Sequence, residues 1–177
     1  GYTQGFYNVL RRIREKYPEV IIQACASGGG RVEYGALKWF NEVWTSDNTE
    51  ALSRVFIQYG TNMIYPASVT GSHVSAVPNH QTNNITPLKF RFDIACAGRL
   101  GMELQPKDMT EEERNLARQA ITTYKEYRDL IFITNAYAMT NDDIHAWDPL
   151  LNVLNEDINY YEKTVFAGNG SSSGSNG

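Results

Sequence analysis

Apolar residues recur with helical spacing at the start of the chain and in short continuous runs soon afterwards. The helical spacing predicts an amphipathic helix over residues 5–16 that ends before Pro18, and the β-branched run at 20–24 predicts a strand. A second strand is predicted at 42–45, with a short helix or an irregular crossover at 34–40 between the two strands. The chain therefore opens as a helix followed by alternating strands and helices.

The same alternation continues to about residue 130. Thr110 and Glu113 have the spacing of a capping box, which predicts a long helix from there to about residue 129. The other predicted elements are a helix at 50–59 capped by Asn48 or Thr49, a strand at 62–65, a helix at 87–97 and a strand at 100–104. Four strand–helix units in succession predict an α/β fold with a parallel sheet, because such crossovers share one hand.

Polar loops follow the first two predicted strands. The first strand leads into Ala-Ser-Gly-Gly-Gly-Arg at 26–31, and the second, ending in Trp44 and Thr45, leads directly to Asp47. In barrels of alternating strands and helices the active site is built from the loops after the strands, so both loops should face one pocket. Taken alone, Asp47 has an ordinary structural interpretation as part of the cap of the next helix, and Trp44 as core packing.

The length of the chain suits only part of a complete barrel. The 177 residues are 42% hydrophobic, which suffices for one domain with a core, whereas an eight-stranded barrel typically needs about 250 residues. We expect a chain that starts just before a helix whose own strand is missing. Such a half-barrel exposes two unpaired strand edges, which predicts either self-association into a homo-oligomer or pairing with a missing N-terminal half.

Charge and composition exclude several classes of partner. The net charge is −4 and the pI about 5.4, and the one basic cluster, at 11–14, is typical of the solvated face of a helix, so nucleic acid is not expected. No apolar run reaches the roughly 18 residues of a membrane span, so no membrane partner is expected. The sequence leaves the cellular compartment open.

The cysteines and histidines do not predict a metal centre. Cys25 and Cys96 are too few for a disulfide framework or a thiolate zinc site, although a single disulfide stays open. His73 and His80 flank Asn79 in what we predict to be a loop after the third strand, and their spacing of seven without a third ligand favours hydrogen bonds that anchor the loop. We expect neither a metal nor a cofactor.

Several ordered motifs resemble those of glycoside hydrolase family 36, the retaining α-galactosidases and their relatives. The motifs are Gln-Ala-Cys-Ala-Ser-Gly-Gly-Gly-Arg-Val-Glu at 23–33, Trp-Thr-Ser-Asp-Asn-Thr-Glu at 44–50, Ile-Gln-Tyr-Gly at 57–60, Tyr-Pro at 65–66, His-Val-Ser-Ala-Val-Pro-Asn-His-Gln at 73–81 and Ala-Gly-Arg-Leu-Gly-Met-Glu-Leu at 97–104. The resemblance covers about residues 1–130. It implies the second half of a (β/α)₈ TIM barrel, strands five to eight, with an irregular C-terminal tail.

The resemblance also implies roles for individual residues. Asp47 matches the catalytic acid/base, and Cys25 and Gly28 match positions that contact the galactose. From its position three residues before Asp47, we expect Trp44 to help to exclude water from the substrate pocket. The implied substrates are terminal α-galactosides such as raffinose-type oligosaccharides. The family's nucleophile, in a Lys-Trp-Asp motif on the fourth strand, has no copy in this sequence, since Leu37-Lys38-Trp39-Phe40 has Phe in place of the acid. We therefore expect the chain to be inactive alone.

Other outcomes stay open at this stage. The chain could be a non-catalytic sugar-binding or structural fragment, or come from a relative that transfers galactose or cleaves α-N-acetylgalactosaminides. Among the other carboxylates, we expect Glu33, Asp93 and Glu103 to have structural roles, and Asn84 departs from the Arg common in the family. We divide the chain into a partial catalytic domain at 1–130, a divergent segment at 131–167 and a flexible Gly/Ser/Asn tail at 168–177.

Overall fold

The computed structural model describes residues 1–137. Within this part the helices are α1 (Tyr2–Lys16), α2 (Tyr34–Leu37), α3 (Ala51–Asn62), α4 (Leu88–Cys96) and α5 (Glu111–Tyr137), and the strands are β1 (Gln23–Ala24), β2 (Glu42–Trp44), β3 (Thr70–Ser75) and β4 (Arg99–Glu103). Short 3₁₀ turns occupy Ala67–Val69 and Pro106–Asp108. Our predictions for 138–167 and for the tail lie outside the described residues.

The four strands form one parallel sheet in the order β1-β2-β3-β4. In register, Ala24 pairs with Val43, Trp44 with Gly71 and His73 with Gly101. The α/β class and the parallel sheet are therefore confirmed. Helix α1 precedes the first strand and α5 follows the last, so the sheet lies within a series that begins and ends with a helix.

The hydrophobic core lies between one face of the sheet and the helices. Val74 of β3 and Phe92 of α4 are almost completely buried in a cluster that also includes Ala117 of α5. Because side chains alternate along a strand, Trp44 and His73 lie on the opposite face, which would form the interior of a barrel. The helix-facing side is thus a packed apolar core, and the other side carries polar and aromatic groups.

Glu42 is the centre of a hydrogen-bonded polar cluster at the lower end of the sheet, where the strands begin. Both carboxylate oxygens of Glu42 are used, since Gln23 donates to Oε1 at 2.7 Å and Arg99 Nε donates to Oε2 at 2.8 Å. Arg99 also donates to the carbonyl of Ser68 at 3.2 Å. Gly71 of β3 lies between Trp44 of β2 and Arg99 of β4 in the register of the sheet.

The prediction of the third strand at 62–65 was wrong. This segment ends α3 and continues as a turn, because the amides of Met63 and Tyr65 donate back to the carbonyls of Tyr59 and Thr61. The strand lies at Thr70–Ser75 instead, with mostly polar side chains that are nevertheless buried. The first strand is also shorter than predicted and begins at Gln23.

The predicted cap of α3 was also wrong, whereas that of α5 is confirmed. Glu50 caps α3, since its carboxylate accepts from the amides of Leu52 and Ser53 at 3.1 and 2.8 Å. At α5, the Thr110 amide donates to Glu113 at 2.9 Å and the Glu113 amide donates to Thr110 Oγ1 at 3.2 Å. Among the described residues, no helix is long and apolar enough to cross a membrane.

Candidate active site

The glycine-rich loop after β1 folds tightly against the segment after β2. Ser27 and Gly28 both have left-handed backbone conformations, with φ of 50° and 72°. A Cβ at Gly28 would lie 2.6 Å from Cα of Ser46 and 3.1 Å from the amide nitrogen of Asp47, so only glycine fits there. The Gly29 amide donates to the Thr45 carbonyl at 3.1 Å and links the two loops directly.

Asp47 is exposed at the rim formed by the carboxyl ends of the strands. None of the hydrogen bonds within residues 1–137 involves its side chain, and Glu50 performs the capping that Asp47 could have provided. Asn48 stabilises the turn instead, because its Oδ1 accepts from the Glu50 amide at 3.0 Å. The helix-cap interpretation of Asp47 is therefore excluded, and the carboxylate is presented to solvent beside Gly28.

Cys25 is an exposed free thiol one residue beyond β1, on the same loop as Gly28. Cys96 is also free, so the two cysteines form no disulfide. Burial raises the pKa of the Cys96 thiol to about 12, with a smaller contribution from Asp93. Cys25 is thus the more accessible of the two thiols, and it lies at the rim.

Trp44 is only 8% exposed and forms the floor beneath the Asp47 segment. The guanidinium carbon of Arg54 lies 4.3 Å from the centroid of one Trp44 ring, and the His73 ring lies 4.5 Å away at an interplanar angle of 38°. Such contacts leave little of the indole for a sugar. The structure places Trp44 next to the rim as a supporting group.

Arg54 is a residue of this site that the sequence reasoning missed. It is 3% exposed and donates to Thr45 Oγ1, to the Ser46 carbonyl and to the Asn48 carbonyl. Burial lowers the pKa of the guanidinium to about 10, with Glu103 and Asp47 partly offsetting that effect, so Arg54 stays charged at neutral pH. One signal was available: Arg54 is the only charged residue in the twelve-residue helix α3.

His73 lies inside β3, not on the loop that follows it, which corrects its predicted position. Burial lowers the pKa of His73, and Arg54 acts in the same direction, while Glu103 and Glu42 oppose the shift. The loop after β3 is anchored instead by buried Asn79, whose Nδ2 donates to Thr49 Oγ1 at 3.1 Å. Within residues 1–137, no three His, Cys, Asp or Glu side chains are grouped so that they could hold a metal ion.

The remaining carboxylates near the motifs differ in their surroundings. Glu33 caps α2 by accepting from the Gly35 amide at 3.1 Å, and Asp93 of α4 pairs with Lys89 at 2.6 Å. Both therefore have the structural roles that we predicted. Glu103 is exposed at the end of β4, opposite Ser75, and its charge acts on both Arg54 and His73.

A parallel α/β sheet with its polar loops gathered at the carboxyl ends of the strands is an arrangement that (β/α)₈-barrel enzymes share. The Melibiase family model matches residues 1–134, and the chain belongs to this family. It is similar to the bifunctional alpha-galactosidase/sucrose kinase AgaSK of Mediterraneibacter gnavus, with 42% identity over 149 residues. That match covers 82% of this chain and 16% of AgaSK.

The chain is also similar to the alpha-galactosidase AgaA of Geobacillus stearothermophilus. The two are 41% identical over 138 residues, which is 78% of this chain and 19% of AgaA. A crystal structure of an AgaA variant in complex with raffinose matches the fold with a TM-score of 0.70 and 42% identity, covering 72% of this chain and 18% of that one. The four described strands thus match part of the barrel of family 36 α-galactosidases, and the chain spans about a fifth of the length of these relatives.

Proposed function

We propose that this chain supplies the acid/base side of a retaining α-galactosidase site, with Asp47 as the acid/base. The packing of Gly28 against the backbone of Ser46 and Asp47 is the observation that carries this proposal. It joins the loop proposed to contact galactose, with Cys25 and Gly28, to the exposed carboxylate, so that one wall of a pocket contains both functions. Trp44 supports this wall from below and helps to exclude water.

A retaining mechanism needs a second carboxyl group about 5–5.5 Å from the first, to attack the anomeric carbon. Two of the three carboxylates near the motifs have structural roles, since Glu33 caps a helix and Asp93 pairs with Lys89. Glu103 is exposed at the end of β4, but the Lys-Trp-Asp motif that carries the family's nucleophile has no copy in this sequence. We infer that the nucleophile comes from residues outside this chain, and that the chain alone does not hydrolyse α-galactosides.

The proposed substrate class is the terminal α-galactoside, including raffinose-type oligosaccharides. Its support is the likeness to AgaA, variants of which were crystallised in complex with raffinose and with stachyose. In this proposal Asp47 protonates the leaving oxygen and then accepts a proton from the attacking water, as the acid/base of a retaining enzyme does.

Catalysis is tested by grafting residues 1–134 in place of the matching segment of AgaA. We expect that the purified 177-residue chain does not hydrolyse p-nitrophenyl α-galactoside and that the chimera does. A folded but inactive chimera contradicts the proposal. Activity of the isolated chain that disappears in Asp47→Ala places the nucleophile within this chain and overturns the inference that it comes from elsewhere. Turnover of the chimera on the α-N-acetylgalactosaminide instead of the galactoside identifies the other substrate class.

Binding is tested separately on the isolated chain through the thiol of Cys25. Exposed Cys25 should react readily with a thiol reagent, whereas Cys96, with its raised pKa, should react slowly and give a low background. We expect galactose to slow the modification of Cys25 and glucose, its C4 epimer, to do so less. Equal rates with and without either sugar contradict a galactose contact at Cys25 and favour a structural role for the chain.

A further inference from the structure

Helix α3 buries one cation on the face that it turns toward the rim. Arg54 is 3% exposed and is the only charged residue of that helix. Burying a charge destabilises a protein unless hydrogen bonds replace those lost to water. The hydrogen-bond partners of Arg54 therefore indicate which part of the structure it stabilises. No carboxylate within residues 1–137 accepts a hydrogen bond from its side chain.

The three partners all belong to the segment that carries Asp47. Arg54 donates from Nη1 to Thr45 Oγ1 at 2.6 Å and from Nη2 to the Ser46 carbonyl at 2.7 Å, both before Asp47 in the chain. It donates from Nε to the Asn48 carbonyl at 2.8 Å, just after Asp47. The guanidinium therefore fixes the backbone on both sides of the carboxylate without occupying the carboxylate itself.

The shape of the side chain matters as much as its charge. A guanidinium presents planar donors in a fixed fork and can serve three separated acceptors, while its face stacks on an aromatic ring. Arg54 does both, because its guanidinium carbon also lies 4.3 Å from the centroid of a Trp44 ring. A lysine ammonium could keep the charge over Trp44 but could not hold the same three oxygens.

The same contacts reach the glycine-rich loop. The Thr45 carbonyl accepts from the Gly29 amide at 3.1 Å, so a segment held by Arg54 also holds this loop in place. Asp47 and Glu103 both act electrostatically on Arg54, which places one cation within the influence of two rim carboxylates. One side chain thus connects the strand end, the Asp47 segment and the loop of Cys25 and Gly28.

We propose that Arg54 is a positioning residue that fixes the Thr45–Asn48 segment and thereby aims the Asp47 carboxylate into the pocket. The functional importance of this role rests on the proposed function of Asp47. The positioning itself is a property of the chain and can be measured without activity. A result that disproves the positioning role of Arg54 can therefore be distinguished from one that disproves the proposed role of Asp47 in catalysis.

The test is amide hydrogen exchange by NMR on the full 177-residue chain. In Arg54→Gln we expect exchange at Gly29, Asn48 and Glu50, whose amides are hydrogen-bonded in and around this segment, to rise about tenfold or more. Amides near Ala117 in α5 should change about twofold or less. Unchanged exchange at the three amides in a folded Arg54→Gln chain overturns the proposal, as does a uniform rise throughout the chain.

The Lys variant separates positioning from charge. In Arg54→Lys we expect the Trp44 indole resonance to stay close to its wild-type position while the three amides still lose protection. Wild-type protection in Arg54→Lys would show that charge alone suffices and would overturn the role assigned to the three hydrogen bonds. Lys38→Gln is the matched control, because Lys38 lies 5.1 Å from the Trp39 ring and its loss should move the Trp39 resonance without affecting Trp44.

Thr45→Val keeps the proposal testable if Arg54→Gln fails to fold. This variant retains the cation and removes one of its three acceptors. We expect a smaller rise in exchange, about threefold, at the same three amides. No change at these amides in Thr45→Val would likewise contradict the proposal.

Discussion

The two ends of the sheet use their charged groups in opposite ways. At the lower end, the Glu42 carboxylate is only 18% exposed and accepts from both Gln23 and Arg99. At the rim, Asp47 is exposed, and the nearby arginine donates to neutral oxygens on either side of it. Arg99 thus forms an ion pair with Glu42, whereas Arg54 fixes the backbone around Asp47.

This difference separates a carboxylate that stabilises from one that is kept available. A carboxylate with both oxygens engaged can neither donate nor accept a proton without breaking the contacts that hold it. A carboxylate whose backbone is fixed while its oxygens face solvent pays no such cost. Exchanging one charged residue at each end should therefore affect activity at the rim and stability at the lower end.

The largest effect that we expect is on catalysis, in the chimera with AgaA. Asp47→Asn should lower kcat/KM for raffinose by about 10³-fold or more, because the amide cannot give the proton that the sugar leaving group needs. Glu42→Gln, the matched change at the lower end, should cost less than about tenfold. Steady-state kinetics measure both, and equal losses would remove the distinction between the two ends.

The second effect concerns the contact between the two rim loops. Gly28→Ala should lower the free energy of unfolding by about 2–4 kcal/mol, because the new Cβ meets the Ser46 backbone and φ is positive. Gly60→Ala in α3 is the control, since a Cβ there meets nothing within 4 Å, and it should stabilise by about 0.5–1 kcal/mol. Urea denaturation of the full chain measures both changes in the free energy of unfolding. A change of the same sign in the two variants would contradict the close approach at Gly28.

The third effect concerns stability, for which we expect Glu42 to matter more than Asp47, the opposite of their order in catalysis. In the isolated chain, Glu42→Gln should lower the free energy of unfolding by about 1–2 kcal/mol, because Arg99 loses its charged partner. Asp47→Asn should change it by less than about 0.5 kcal/mol, since no hydrogen bond within the described residues depends on that side chain. A larger loss for Asp47→Asn in the same denaturation experiment would show that Asp47 is structural after all.

The smallest effect concerns pH. Burial lowers the pKa of His73 below its usual value of about 6.5, so the unfolded chain binds the proton more readily than the folded one. The stability contributed by neutral His73 is complete above about pH 6.5 and is lost as the pH falls through the lower, folded pKa. His73→Gln should therefore flatten the decline in stability between about pH 7 and 5, whereas exposed His80→Gln should not. If the melting temperatures of the two variants changed with pH in the same way, this effect could not be assigned to His73.

The sequence predicted the parts of the fold that follow from periodicity and capping. The capping box of Thr110 and Glu113 and the alternation of strands and helices are confirmed. Strand β3 was misplaced because its buried residues include Thr70 and Ser72, whose hydroxyl groups donate hydrogen bonds to the side chains of Asn62 and Gln58 of α3. Burial of that kind depends on tertiary partners, which no local pattern reveals.

The candidate site shows the same division. The exposure of Asp47 and Cys25 agrees with the roles that the family resemblance implied, and those roles stay proposals. The part played by Arg54 could not be predicted, because its three acceptors lie six to nine residues away and two of them are main-chain carbonyls. A side chain that recognises backbone oxygens leaves no matching residue type in the sequence.

The order of the elements restricts how a barrel can close around this sheet. In a (β/α)₈ barrel each helix fills the groove between two successive strands, so eight grooves take eight helices. Here four strands come with a helix before the first and another after the last. If two copies closed a ring, α5 of one copy and α1 of the other would compete for the same groove. A ring closed around the described residues would instead have room for four more strands and only three more helices.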